Sequence, residues 1–198
     1  MSDVTNEVTS GTWGNANEDG ADGRCSPSLS RPDASDGAAI WRLAGEDGTL
    51  ERNSAYAYML LGAHFGGTSV VARRNGRIAG FAWAYLVPER TDTVFVWQVG
   101  VAAAGRGRGL GSAMLREILC RPECRTVAFM EATVTPSNQA SMALFRSFAR
   151  ERNAALELSV GFDRIVFPDP GHETEMLVRI GPFGRTTHAA SNSKEQKP

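Results

Sequence analysis

Cysteine, histidine and tyrosine are scarce in this chain, at three each among 198 residues. No apolar run approaches the roughly 20 residues a membrane-crossing helix needs, so no membrane partner is expected. Charge of one sign is missing too. The 21 Lys and Arg against 22 Asp and Glu leave a formal net charge of −1, which gives no broad basic field to hold nucleic acid. An odd number of cysteines without a secretion signal predicts free thiols and a cytoplasmic protein. Cys120 and Cys124 flank Pro122, but no second Cys or His pair stands at a zinc spacing, so no metal is expected.

Large apolar residues are sparse in the first 36 positions, which hold seven acids against two arginines. The stretch lacks the basic start and apolar core of a signal peptide. It also lacks the apolar surface that would offset ordering entropy, so residues 1–36 are expected to form a disordered acidic arm. Residues 184–198 read the same way, as a flexible tail. Residues 37–183 then make one domain of ordinary size.

Within that domain, Ile40-Trp-Arg-Leu43 reads as a short strand inside 38–44. Residues 50–65 read as a helix, capped by Asn53 or Ser54, with Tyr56, Met59, Leu60 and Ala63 recurring at helical spacing. Residues 69–72 and 78–85 flank Asn75-Gly76, the signature of a tight hairpin, with Arg73, Arg74 and Arg77 in a solvated turn. Residues 94–101 form a strand apolar nearly throughout, as in a sheet covered on both faces. A helix over 112–119, a strand over 126–133, and a helix opened by Pro136-Ser137-Asn138 with Met142, Phe145 and Phe148 inward come next. Strands over 156–162 and 175–180 end the domain. Hairpins at the front and strand–helix–strand units in the middle predict a mixed α/β sheet.

The chemistry is concentrated in Val99-Gly-Val-Ala-Ala-Ala-Gly-Arg106-Gly-Arg108-Gly109-Leu-Gly111-Ser112. A strand runs through closely spaced glycines straight into a helix. Glycines accept positive φ and allow a ligand close to the backbone. The helix start presents unpaired N–H groups and a partial positive charge, and Arg106 and Arg108 add cations. That combination points to a pyrophosphate. The spacing is neither that of a P-loop nor that of a dinucleotide fold.

The Arg106-x-x-Gly109-x-Gly111 pattern resembles the coenzyme A loop of the GNAT superfamily of N-acetyltransferases. Asn138-x-x-Ser141-x-x-Leu144-Phe145 is similar to the segment where that superfamily places an Asn near the thioester end of the cofactor. The resemblance implies a mostly antiparallel central sheet flanked by helices, with splayed strands at the acetyl-CoA site. It implies acetyl-CoA as co-substrate, held by the backbone of Val99 and Val101, by Arg106, Gly107, Arg108, Gly109, Gly111 and Ser112, and by Asn138. A backbone N–H of the Val99–Val101 strand would stabilise the developing oxyanion.

Longer stretches resemble the diaminobutyrate acetyltransferase family of ectoine biosynthesis. They include Leu50-Glu-Arg-Asn-Ser-Ala-Tyr56, Phe95-Val-Trp-Gln-Val99, Glu131-Ala-Thr-Val-Thr-Pro-Ser-Asn138 and Gly171-His-Glu173. The likeness covers nearly all of 37–183. It implies acetylation of the 4-amino group of L-2,4-diaminobutyrate, and a homodimer. Glu51 stands where that family carries Asp, so the carboxylate sits on a longer arm. The resemblance places Glu51, Tyr56, Trp97, Glu131 and His172 at the substrate. Glu51 and Glu131 are then ammonium partners, Tyr56 and Trp97 walls, and His172 a closing residue.

An alkyl ammonium with a pKa of about 10.4 must lose a proton before it can attack a thioester. Glu131 or His172, directly or through water, is the candidate base. An acid in Val-Ala-Phe-Met-Glu-Ala-Thr-Val is costly to bury without a partner. Direct transfer without an acyl-enzyme is expected, because no Cys lies near the loop and no His is paired with one. The superfamily's usual tyrosine acid has Phe145 in its place. Two other readings stay open at this stage: an acetyltransferase for another amine, and a domain that binds acyl-CoA without turnover.

Overall fold

The computed structural model describes residues 26–46 and 50–184. In chain order they form β1 (Ser28–Ser30), α1 (Gly37–Glu46), α2 (Ala55–Phe65), β2 (Val70–Arg74), β3 (Arg77–Val87) and β4 (Arg90–Val101). Then follow α3 (Leu110–Cys120), β5 (Phe129–Val134), α4 (Gln139–Glu151), β6 (Leu156–Phe162) and β7 (Glu175–Ile180). The strands make one sheet in the order β1-β2-β3-β4-β5-β7-β6. Every neighbouring pair is antiparallel except β4 and β5. This is the mixed, mostly antiparallel architecture expected from the sequence.

Turn chemistry sets the front of the sheet. Asn75 and Gly76 have φ of 50° and 72°, and Arg74 pairs with Arg77 across them. Two central residues at positive φ match the right-handed twist of the strands they join. Alternation along β3 then feeds two cores. Phe81 and Trp83 pack with Ile40, Leu43, Tyr58 and Leu61 of α1 and α2. Ala82 and Ala84 face Met114, Leu115 and Ile118 of α3 and Phe145 and Phe148 of α4. With both faces covered, central strands carry few polar residues. No helix among the described residues is long and apolar enough to cross a membrane.

Three expectations change. Ile40-Trp-Arg-Leu43 lies in α1 and is not a strand. Ile40, Leu43 and Ala44 are buried at i, i+3 and i+4, which is one helical face. Helix α2 is capped by Ser54, whose Oγ accepts from Ala57 N at 3.2 Å, but its buried residues are Tyr58 and Leu61. Tyr56 is 66% exposed. The run Ala-Tyr-Ala-Tyr-Met-Leu-Leu is apolar on every side, so its pattern has no direction and the packing chose the face.

The third change concerns the arm. Leu29 pairs with Ala72 in β2 and packs on the α3–α4 core. Asp33 accepts from Ser35 N at 2.7 Å while donating its own N–H to Asp36 at 3.0 Å, a reciprocal cap that leads into α1. Asp36 is buried and accepts from Arg73 on both oxygens at 2.8 Å. Arg73 is therefore tied down and is not part of a solvated turn. Residues 26–36 thus belong to the domain. The rest of the expected arm, 1–25, and of the expected tail, 185–198, lies outside the described residues.

Candidate active site

Strands β4 and β5 pair over only three residues, Thr93–Phe95 against Phe129–Glu131. Beyond that point β4 follows β3 to Val101 and β5 follows β7 to Val134. The sheet therefore opens into a wedge on the side where both strands end. Two cavities lie there, of about 260 and 440 Å³, and both are lined by Leu50, Val99, Asn138 and Ser141.

The smaller cavity is the loop side. Val101, Arg106, Gly107 and Gly109 line it, with Gly111 and Ser112 from the first turn of α3. Gly107 and Gly109 have φ of 70° and 75°, a conformation that side chains resist. Gly109 is also the N-cap of α3 and brings no side chain to it. The first-turn amides of α3 therefore have no side-chain acceptor and are presented to an anion. Arg106 anchors the loop through Nε to the Val101 carbonyl at 3.1 Å. Arg108 lines the adjoining groove instead. Asn138 caps α4, its carbonyl oxygen accepting from Ser141 N at 3.0 Å, so it has its NH₂ group to offer a ligand.

The larger cavity contains Glu51, Trp97 and His172 of the expected substrate set. Trp97 sits at a bulge: Val96 pairs with Ala84 and Gln98 with Trp83, which leaves Trp97 unpaired between them. Bulges re-aim side chains beside active sites. Here the indole is 53% exposed and stacks on Trp83 at 4.7 Å and 16°. The His172 ring lies flat on Phe167 at 3.7 Å. Its Nδ1 is 2.6 Å from the Glu173 carbonyl oxygen. A carbonyl only accepts, so Nδ1 is the donor, and in the neutral ring the lone pair is on Nε2. Glu175 Oε1 is 4.0 Å from that Nε2.

Two expected substrate residues do not line the cavity. Tyr56 points outward from α2. Glu131 is 2% exposed and bound by two guanidinium groups, Arg90 at 2.7 and 2.8 Å and Arg179 on Oε1. Burial pushes its pKa up, but the hydrogen bonds and charges of Arg90 and Arg179 outweigh that and hold the carboxyl below its ordinary range. A carboxylate so stabilised is a poor proton acceptor. The cost of burying Glu131 is thus met by structural ion pairs.

Three residues at the site were not picked out from the sequence. Buried Tyr58 donates its hydroxyl to Gln98 Oε1 at 2.8 Å, and Gln98 Nε2 donates to the Glu51 carbonyl at 2.7 Å. This chain fixes the Glu51 backbone over β4. Gln98 was the legible one, a polar residue in an apolar strand. Glu175 had a weaker signal, its three-residue offset from His172. Phe145, read from the sequence as standing in place of the superfamily's tyrosine acid, forms an apolar wall of the cavity.

Comparison with known proteins bears directly on this arrangement. The sequence profile of the Acetyltransferase (GNAT) family matches residues 38–149. The chain is 46% identical to the L-2,4-diaminobutyric acid acetyltransferase of Halalkalibacterium halodurans, over 78% of this chain and 82% of that protein. Identity to the enzyme of the same name from Bordetella parapertussis is 50%, over 81% and 87%.

The chain belongs to the diaminobutyrate acetyltransferase family of GNAT enzymes.

A solved member of that family is the diaminobutyrate acetyltransferase of Paenibacillus lautus, in complex with L-2,4-diaminobutyric acid and coenzyme A. It is similar at a TM-score of 0.77 and 42% identity, over 80% of this chain and 96% of that one. GNAT enzymes are acetyl-CoA-dependent N-acetyltransferases, and the uncapped start of α3, the positive-φ glycines and Arg106 fit the pyrophosphate of that co-substrate. Among the described residues, no three His, Cys, Asp or Glu side chains gather to hold a metal.

Proposed function

We propose that the protein transfers the acetyl group of acetyl-CoA to the 4-amino group of L-2,4-diaminobutyrate, giving N4-acetyl-L-2,4-diaminobutyrate for ectoine biosynthesis in the cytoplasm. The observation that carries this reading is the charge of the larger cavity. Glu51 and Glu175 line it, and no Lys or Arg does. A diamino acid brings two ammonium groups, and two carboxylates match them. Hydroxyls of Thr133 and Thr135 and the amide of Asn53 line the same space and are donors for the substrate carboxylate.

The reaction needs a free amine, a polarised carbonyl and a leaving thiolate. His172 Nε2 is the proton acceptor, taking the ammonium proton directly or through one water. Stacking on Phe167 and the bond to the Glu173 carbonyl hold its orientation and tautomer. The amine lone pair attacks the thioester carbonyl carbon and the C–S bond breaks. The nitrogen gives its second proton to the departing thiolate, so the products are the amide and coenzyme A. The backbone N–H of Val99 or Val101 stabilises the oxyanion in this reading. Transfer is direct in this reading; of the cysteines among the described residues, neither Cys120 nor Cys124 lines either cavity.

The working unit is a homodimer. Strand β6 is a sheet edge, and Leu158, Val160 and Phe162 on it are 45%, 59% and 54% exposed, followed by exposed Ile165 and Val166. Apolar edges of this kind invite pairing. An antiparallel edge can pair with its own copy about a two-fold axis and so cover both copies at once.

The test is thiol release from acetyl-CoA with L-2,4-diaminobutyrate beside ornithine, lysine and spermidine, with the acetylated nitrogen located by NMR. One methylene in a pocket is worth roughly 10- to 200-fold in kcat/KM, which is the expected preference over ornithine. Equal use of ornithine, or acetylation at the 2-amino group, would sink the assignment.

A further inference from the structure

Two segments marked out in the sequence, Pro136-Ser137-Asn138 and Gly171-His172-Glu173, meet through members that the reaction leaves unused. Ser137 N donates to one oxygen of the Glu173 carboxylate at 3.2 Å, and the Ser137 hydroxyl donates to the other. Glu173 sits in the loop between β6 and β7, 36 positions from Ser137. The other carboxylates of this loop serve the loop itself. Asp163 accepts from Ile165 N at 3.1 Å and Asp169 from Gly171 N at 2.8 Å. Glu173 reaches out of the loop, to the residue before the cap of α4, where a negative charge also meets the positive end of a helix. It does not line the larger cavity, although His172 and Glu175 do.

We propose that Glu173 is a positioning residue for the transfer: its carboxylate latches the loop to Ser137, so that its own carbonyl holds His172 in place. The proposal rests on reading His172 as the proton acceptor. His172 adjoins Glu173 in the chain and Asn138 adjoins Ser137, and both His172 and Asn138 line the larger cavity. One carboxylate therefore fixes the proton acceptor relative to the residue expected at the thioester end of the cofactor. The Glu173 carbonyl oxygen is 2.6 Å from His172 Nδ1, and the bond made at one ring nitrogen decides which of the two carries the proton. With the latch open, that carbonyl moves with the loop and the ring loses its fixed tautomer. Ile165 and Val166 in the same loop are exposed, so packing at that end does not replace the latch. Proton removal and attack need acceptor, nitrogen and thioester aligned, and a misplacement of about 1 Å costs on the order of 100-fold. Glu173 acts through His172 and does not touch the substrate.

Heteronuclear NMR of isotope-labelled histidine rings at alkaline pH, beside kcat, tests this on the full chain. The chain has three histidines, and His172→Gln identifies the signal of interest. Wild type should show the Nδ1–H form at His172. Glu173→Ala should show a mixture of both tautomers and lose roughly 10- to 100-fold in kcat. Glu173→Gln keeps an acceptor for one Ser137 donor and should recover most of both. In a His172→Gln background, Glu173→Ala should cost nothing further, because the two residues act through one group. An unchanged His172 tautomer in Glu173→Ala would overturn the proposal, as would an undiminished kcat or losses that multiply in the double variant. Full kcat in His172→Gln would instead remove the base role, and the tautomer populations report on the latch whichever residue is the base.

Discussion

A Glu131→Gln substitution exchanges a charged carboxylate for an amide of nearly the same shape, in a place where two guanidinium groups converge. The amide keeps one acceptor and turns a donor toward donors. A hydrogen bond to a charged group contributes roughly 1.5–3 kcal/mol. Arg90 is 47% exposed and can turn to water, whereas Arg179 is 26% exposed and retains less freedom to do so. Full loss at Arg179 and part of the loss at Arg90 give about 3 kcal/mol. At this domain size that lowers Tm by roughly 6–12 °C.

The pH dependence of that difference has a definite sign. The folded-state pKa of Glu131 lies below its unfolded value. Its contribution is therefore fully present above the unfolded carboxylate range, about pH 5 and up, and is lost as pH falls through the lowered folded value. Melting curves of wild type and Glu131→Gln, collected from acid to neutral pH, should be furthest apart at neutral pH and converge toward acid. kcat on diaminobutyrate, measured well below Tm, should change little. A variant that melts with the wild type but loses on the order of 100-fold or more in kcat, the scale of a lost general base, would refute the reasoning.

Three other outcomes follow from the same geometry. Tyr58→Phe removes the hydroxyl that orients Gln98, so it should cost about 1–3 kcal/mol and raise KM for the diamino acid; a raised KM for acetyl-CoA with the amine KM unchanged would contradict the role given to this chain. Burial pushes the Cys124 thiol up to about 11, whereas Cys120 is exposed; a Cys25→Ser protein at pH 8 should show one fast thiol to a disulfide reagent when native and a second only in denaturant, and two fast thiols would be the contrary result. Val160→Glu puts a charge in the middle of the exposed β6 edge and should convert a dimer to a monomer in light scattering with little change in Tm; a wild-type mass near 21.3 kDa would remove the dimer itself.

What the sequence disclosed and what it withheld divide along the range of the interactions involved. The Asn75-Gly76 turn, the glycine loop and the Asn138 cap are local: each is specified by residues within a few positions, and each is where it was expected. The errors are non-local. Ile40 to Leu43 has too few residues to separate a helical face from alternation, and α1 becomes a helix because Asp33 caps the turn before it and α2 and β3 cover its apolar side. Residues 28–30 carry a single apolar side chain, yet β2 supplies their hydrogen-bonding edge and Asp36 finds Arg73.

Glu131 shows the same division at the site. A carboxylate in an apolar strand must have a partner, and that much is physics readable from the sequence. Whether the partner is a substrate ammonium or a guanidinium of the protein depends on Arg90 and Arg179, which lie 41 and 48 residues away and are brought in by β4 and β7. Since those two already neutralise Glu131, the acids the proposed reading leaves for the substrate's two ammonium groups are Glu51 and Glu175, in a cavity lining that holds no Lys or Arg. Recognition by charge is thereby separated from the ionic brace of the sheet. Either can be altered without the other, and the Glu131→Gln and Tyr58→Phe variants probe them one at a time.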